Sequence, residues 1–541
     1  MSNSNQVVRA AGLLMAISVL SRLAGFIRET AIANGFGTSM YADSYVMSYA
    51  IVNVLYLILG GALATVFIPV FTSIRAKDEA DIGLHTPSES SWRFASTVFN
   101  LTVLVMGIFS LLGMLFSGEL VAVIAPKFSP EAAALTAELT RIMFPIVLLA
   151  AVSMLLGGVL NSLQHFALPA LSSVVFSLTV TVAALAMGGS KEVGIRVVAV
   201  STVIAILLMV AVQVPALRGR RLRYFPSLSL KQEGIKQLGI LMGPVVLNNA
   251  VQQFYILVEK FLASGLVVGS ISALNYANKL LFLPFNLFAM SINIAIFPSL
   301  AEHAARNDRE ALGRTTAMGL KLIGLLTIPA TVGMLALAGP VVRLVYQRGE
   351  FNALSTLMTT RALYFYLLGL FALGGYNVLN RAFYSLQDTR TPLVIGVCSV
   401  LANTLFAWLL VGPMQHAGLA LAVALAANFN LVLSYLYLRR RLPGLSLREL
   451  APPLGRMLLV SLVMGLGTWL TYQGLGLAFW PGQTGEHIPL LRQVIQLGLA
   501  VAVGLVLYIW GIEWTKADEE TTTLVRQFAA SIVKRLRPGQ K

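Results

Sequence analysis

From Val7 onward the chain alternates between two textures. Apolar blocks of about 20 residues, long enough to cross a bilayer core as helices, are separated by short stretches rich in Arg, Lys, Ser, Gly and Pro. The pattern predicts spans near 7–35, 44–74, 93–117, 138–162, 166–187, 195–216, 237–265, 272–301, 315–338, 359–386, 392–411, 417–438, 457–479 and 493–514. Barrel strands are disfavoured, because a strand needs only ~10 residues and alternates in polarity. The expected fold is an all-α polytopic membrane protein with about fourteen transmembrane helices.

Composition sharpens this picture. Of 541 residues, 57% are hydrophobic and 11% charged, with a mean hydropathy of +0.79, whereas a soluble chain carries roughly 25% charged residues. The first block is too long for a cleavable signal peptide and holds Arg22 near its middle. The single cysteine, Cys398, excludes an intrachain disulfide.

A formal charge of +16 raises the question of nucleic acid, but the basic residues fall in alternate loops. Arg75, Lys77 and Arg93 share a side with Arg218, Arg220, Arg221, Arg223, Lys231 and Lys236. Arg306, Arg309 and Arg314, the stretch "RRRLPGLSLREL" from Arg439, and Lys534, Arg535 and Arg537 lie on that side too. The opposite side carries isolated charges such as Lys127, Lys191, Arg343, Arg348 and Arg492. Cytoplasmic loops hold the excess of Lys and Arg, so both termini are expected in the cytoplasm and the charge reads as topology, not nucleic-acid binding.

Two internal echoes organise the chain. "NSLQHFALPA" (161–170) and "YSLQDTRTPL" (384–393) share Ser-Leu-Gln, a four-residue gap and a Pro, at an offset of 223. "FIPVFTSIRAKDE" (67–79) and "IFPSLAEHAARND" (296–308) each place a Pro near the end of a span, at an offset of 229 between Pro69 and Pro298. Similar offsets predict a duplication of six spans, a parallel repeat of the kind transporters use, with the substrate site between the halves. The expected domains are an N-lobe at 1–216 (helices 1–6), a basic cytoplasmic linker at 217–236 and a C-lobe at 237–438 (helices 7–12). A C-terminal helix pair at 457–514 and a cytoplasmic tail at 515–541 complete the chain.

The chemistry then rests on polar groups inside the spans. Asn248, Gln252, Tyr255 and Glu259 recur at i, i+4, i+7 and i+11, one face of the seventh span. Asn275, Lys279, Asn286 and Asn293 stripe the eighth, Asn377 and Arg381 are four apart in the tenth, and Asn53 lies midway along the second. A charge at bilayer depth costs at least ~2.5–3.5 kcal/mol, so these faces are expected to line a protein interior or a wet cavity. For the asparagines, hydrogen-bonding between helices is the competing explanation. For Arg22, Arg28, Glu29, Glu259 and Lys279 it is internal ion pairing, for example of Arg28 with a neighbouring carboxylate. Gly25 lies between the two arginines, and a bend there would turn both toward one cavity. Arginine suits phosphate, with a permanent charge and a planar fork of donors.

"LSRLAGFIRE", Asp43 after "FGTSMYAD", "ISALNYANKL", "LVYQRGEF" and "RAFYSLQDTRTP" closely resemble segments of the MurJ/MviN lipid II flippases. That family lies in the multidrug/oligosaccharidyl-lipid/polysaccharide exporter superfamily, and the resemblance runs to about residue 440. It implies transport of lipid II, an undecaprenyl-pyrophosphate-linked disaccharide peptide, from the inner to the outer leaflet of the bacterial cytoplasmic membrane. It implies that Arg22 and Arg28 match essential first-span arginines, Glu29 the acidic residue after them, Asp43 an aspartate of the family and Glu259 an acidic position in the seventh span. Two positions depart: the chain has Tyr56 and Lys279 where many members have arginine.

The expected mechanism is alternating access, with Arg22, Arg28, Lys279 and Asn53 binding substrate and Glu29, Asp43, Glu259 and Arg381 coupling or gating. No cofactor or metal is expected. Sodium, protons or the membrane potential are open as driving forces, and no GxxxxGK[ST] loop suggests an ATPase. Membrane lipids and cell-wall synthesis proteins are the other expected partners. Exporters of another polyprenyl-pyrophosphate-linked glycan and drug or ion antiporters of the same superfamily are the nearest alternatives. An enzyme is disfavoured, because the loops are short and the five histidines lack metal-ligand spacing.

Overall fold

The computed structural model describes residues 2–82, 89–186, 190–218, 223–479 and 489–515. Arg220, Arg221, the tail with Lys534, Arg535 and Arg537, and part of the loop 78–92 lie outside the described residues. Every element among the described residues is helical. The helices are α1 (Ser2–Phe36), α2 (Met40–Ile82), α3 (Glu89–Leu115), α4 (Ser117–Ile124), α5 (Pro130–Met143), α6 (Pro145–Ser162), α7 (Ala167–Ala186), α8 (Lys191–Arg218) and α9 (Ile235–Ala263). Then come α10 (Ser270–Pro284), a π-helical turn (Phe285–Ala289), α11 (Met290–Ala305), α12 (Arg309–Tyr346), α13 (Ala353–Leu367), α14 (Leu370–Ser385), α15 (Arg390–Met414), α16 (His416–Arg439), α17 (Leu447–Phe479) and α18 (Leu490–Thr515). Among the described residues, 11 helices are long and apolar enough to cross a membrane, or 12 if α13 and α14 form one span bent by 41°. The protein is an all-α polytopic membrane protein.

Several spans expected to be single helices are interrupted, each for a local reason. The block at 138–162 breaks at Phe144, where Pro145 begins α6 and cannot donate to the preceding turn. The block at 359–386 breaks at Leu368 and Gly369. The block at 272–301 carries the π-helical turn directly after Pro284. Inside α12, Leu337 leaves helical geometry (φ −117°, ψ 16°) three residues before Pro340. Helix starts follow side-chain chemistry: Ser129, Asp308 and Asn352 accept the backbone N–H of Ala132, Ala311 and Ser355.

The chain divides into two compact units, Met1–Ser272 with Arg348–Phe351, and Ala273–Gln347 with Asn352–Lys541. In the first, α2 is the central helix and packs on α6, α9, α5 and α3, while α7 joins α1 to α8. Its core includes an aromatic stack in which Phe67 lies 5.3 Å from Phe71 and 5.6 Å from Phe94. In the second, α12 is the spine, packed on α17, α14, α11 and α13, and Tyr508 of α18 donates to the Leu325 carbonyl at 2.8 Å.

The first sequence echo is also a structural one. After α6, Gln164 has φ 60°, and after α14, Gln387 has φ 58°. Gln164 N donates to Asn161 O and His165 N to Leu160 O; Gln387 N donates to Tyr384 O and Asp388 N to Phe383 O. Both are Schellman caps, with glutamine in the left-handed position that glycine usually fills.

Candidate functional site

In the first unit, α1 runs unbroken through Gly25, against the expectation of a bend. A Cβ on Gly25 would lie 3.9 Å from Ser177 Oγ of α7, so the residue sits where α1 meets α7 without a break. At ~100° per residue, Arg22 and Arg28 leave a straight helix on different sides. Arg22 is exposed, whereas Arg28 is half-buried and Glu29 buried.

Arg28 Nη2 donates to Glu29 Oε1 at 2.6 Å, and its guanidinium lies 5.0 Å from the Phe176 ring centroid on α7. Adjacent helix residues do not ordinarily face each other, so the guanidinium is folded back over α1. Pairing with a neighbouring carboxylate is therefore present, and this hydrogen bond uses one of the five guanidinium N–H donors. Removing one member of a buried pair costs up to ~3–5 kcal/mol.

Beside the pair, α2 presents Tyr45, Tyr49 and Tyr56. They occur at i, i+4 and i+11, one helical face, a period visible in the sequence although only Tyr56 was singled out there. The rings of Tyr45 and Tyr49 stack at 6.3 Å, and the Tyr45 hydroxyl shares a 3.0 Å hydrogen bond with Thr202 Oγ1 of α8. Asn53 is half-buried on the same helix.

A second cluster surrounds Asp43 at the start of α2. This carboxylate is 5% exposed and accepts three hydrogen bonds, from Gly269 N at 2.6 Å, Ser272 N at 2.8 Å and Ser272 Oγ at 2.7 Å. Asp43 thereby caps the first turn of α10 from a distant helix, satisfying N–H groups that no intrahelical partner reaches. Gly269 stands at φ +92°, and a Cβ there would lie 2.5 Å from the Thr38 carbonyl oxygen. No other residue type fits that approach.

At the end of α9, Glu259 Oε1 receives Lys260 Nζ at 3.2 Å, and the two side chains are 11% and 8% exposed. Lys260 follows Glu259 directly, but nothing in the periodicity marks it as buried. The α9 stripe divides: Asn248 and Gln252 are exposed, Tyr255 and Glu259 half-buried. The hydrogen bond to α2 comes instead from Asn249, whose Nδ2 donates to the Leu57 carbonyl at 3.2 Å.

The second unit holds the other two charged candidates. Lys279 and Asn275 of α10 are half-buried, as is Asn286 of the π-helical turn, and Asn293 of α11 is buried. Arg381 of α14 lies with its guanidinium 5.1 Å from the Phe297 ring centroid, a cation–π contact. Asn377 bonds within its own helix, to Leu373 O at 2.7 Å. Among the described residues, no group of three or more His, Cys, Asp or Glu could hold a metal ion.

Long apolar helices with charged side chains folded among them define a polytopic helical membrane protein built to handle polar groups within the bilayer. Residues 32–483 match the family described as "Lipid II flippase MurJ". The chain belongs to this family. Arg22, Arg28 and Glu29 lie ahead of the matched residues. The chain is 30% identical over 430 residues to the probable lipid II flippase MurJ of Rickettsia prowazekii (strain Madrid E), covering 79% of this chain and 83% of that one. Among solved structures it resembles a lipid II flippase MurJ in an inward closed conformation, with TM-score 0.76, 23% identity and coverage of 93% and 99%. It also resembles an inward-facing multidrug resistance MATE family transporter of the MOP superfamily, with TM-score 0.66, 13% identity and coverage of 80% and 98%.

Proposed function

We infer that this chain is a lipid II flippase of the bacterial inner membrane, serving peptidoglycan synthesis; it is a transporter and not an enzyme. The family match over residues 32–483 carries this reading. Lipid II is its substrate and membrane lipids its environment.

The finer mechanism is our proposal. We place fourteen spans by adding α1 and the α10–α11 segment to the 12 long helices that include the bent α13–α14 pair. An even number keeps both termini in the cytoplasm, in accord with the basic loops. The paired caps at Gln164 and Gln387 support a parallel repeat, with lobes at 1–216 and 237–438, a linker at 217–236, a helix pair at 457–514 and a tail at 515–541. The lobes alternate access and carry lipid II from the inner to the outer leaflet. Arg22, Arg28 and Lys279 draw in the pyrophosphate and Asn53 the polar head group. Glu29 orients Arg28, Asp43 positions the start of α10, and Glu259 and Arg381 couple or gate.

The test is surface lipid II in bacteria whose own flippase is shut off, with this chain supplied. Restoration by the intact chain supports the reading. Failure at full membrane abundance sinks it and directs attention to another polyprenyl-linked glycan.

A further inference from the structure

We propose that the second unit binds the phosphate of an anionic phospholipid where α12 and α17 end and α18 begins. Gly324 meets Leu454 and Gly465 meets Val332, so α12 and α17 run parallel. Gly504 meets Thr468 and Gly511 meets Val460, so α18 returns antiparallel to both. The Tyr508 hydroxyl sets the register by donating to Leu325 O at 2.8 Å. Arg343 lies 18 residues along α12 from Leu325, and Arg492 lies 16 residues back along α18 from Tyr508. At about 1.5 Å per residue these are axial distances of about 27 and 24 Å, which bring both arginines to nearly one level. Arg492 also continues the buried stripe Gln496, Ala500, Gly504, Tyr508 and Ile512 at its four-residue spacing, on the face packed against α17. One turn further in, Gln496 Nε2 donates to Tyr472 O at 2.7 Å and ties α18 to α17. The Tyr472 side chain is close enough to Arg343 for the two to interact electrostatically.

Three observations define the ligand. Arg343 Nε is enclosed and has no hydrogen-bond partner. The residue is only half-buried, and its two outer nitrogens, which form no ion pair among the described residues, stay open to the surface. An arginine that merely snorkels keeps its whole head in water, which Arg343 does not. Secondly, the described residues of these helix ends, 334–347, 469–479 and 489–500, include no Asp or Glu. The local field is therefore positive, which attracts a phosphate and repels the ammonium of a zwitterionic head group. Thirdly, Leu477, Leu490 and Leu491 are exposed beside the arginines and offer acyl chains an apolar surface. A phosphodiester accepts the planar fork of arginine in two places, and basic pockets between membrane helices hold anionic lipid head groups. On the topology proposed above this end faces the outer leaflet, the side on which arginine is scarce.

The test is native mass spectrometry of the full chain equilibrated with equal amounts of phosphatidylglycerol and phosphatidylcholine. Retention of phosphatidylglycerol in preference to phosphatidylcholine is expected. Arg343→Gln should reduce that preference roughly tenfold, as for hydrogen bonds lost from a charged group. Arg343→Lys keeps the charge without the fork and should fall between. Arg343 forms no ion pair among the described residues, so both variants should match the parent chain in thermal stability without phosphatidylglycerol. Only the rise in melting temperature on adding that lipid should shrink, which separates a lost site from a lost fold. Equal retention of the two lipids overturns the proposal, as does a preference unchanged in Arg343→Gln. An adduct with the mass of lipid II in place of phosphatidylglycerol, lost in Arg343→Gln, also overturns it and gives the site to the substrate. Transport is not read in this assay, so failure here leaves the flippase reading standing.

Discussion

Asp43 holds Ser272 twice, through the backbone N–H at 2.8 Å and through the hydroxyl at 2.7 Å. The carboxylate opens α2, and the serine lies in the first turn of α10, 229 residues along the chain. A buried carboxylate that accepts three hydrogen bonds at a helix start acts as a clamp. Asp43→Asn keeps the shape but removes the charge and turns one acceptor into a donor facing other donors. We expect ~1.5–3 kcal/mol of local stability to be lost, read as faster amide hydrogen exchange at Gly269 and Ser272. Ser272→Ala should lose about 1 kcal/mol there, because the backbone N–H still donates. Unchanged exchange in Asp43→Asn would remove the clamp from the account.

For Arg28 the question is whether pairing with Glu29 is its whole role. Arg28→Ala removes a charged partner of the buried Glu29 carboxylate, so membrane abundance should fall with a loss of stability of up to ~3–5 kcal/mol. The double variant Arg28→Ala/Glu29→Ala removes both charges and should regain most of that abundance. If Arg28 also binds substrate, the double variant restores protein but not surface lipid II. Recovery of both would show that the arginine serves only to neutralise Glu29.

The glutamines at the two matching caps occupy backbone geometry that costs most residues roughly 1–2 kcal/mol. Gln164→Gly and Gln387→Gly should therefore leave thermal stability unchanged or slightly raised. The β-branched Gln164→Val and Gln387→Val should each lower it by about 1–2 kcal/mol. A difference in response between the paired sites would argue against a shared origin for the two turns.

Asp388 lies between α14 and α15, outside the spans. Burial alone raises its carboxyl, but the Thr391 N–H and hydroxyl and the Arg441 guanidinium outweigh this and hold it below the usual carboxylate range. Since the folded value lies below the unfolded one, of ~3.9, the stabilisation is complete above about pH 4 and is lost as pH falls through the folded value. Exchange protection at Thr391, corrected for intrinsic rates, should be flat from about pH 7 to 5 and decline only in stronger acid. Asp388→Asn should show lower protection with no such decline.

Hydropathy along the chain was sufficient for the class of the protein, since a bilayer requires long apolar helices whatever their neighbours. The echo "SLQ" to Pro was equally legible, because a helix cap is built from residues within five positions of one another. Short-range chemistry of this kind is written in consecutive letters. The partner of Asp43 was not, since it arrives from 226 residues away at Gly269 and only packing decides which backbone N–H it meets. The same holds for Arg28, whose six-residue separation from Arg22 specified different helix sides, while its contact with the Phe176 ring depended on the packing of α7. Gly25 shows the limit most plainly: its low helix propensity predicts a break, yet α1 runs on unbroken against α7. Tertiary contact outweighs a propensity difference of about 1 kcal/mol.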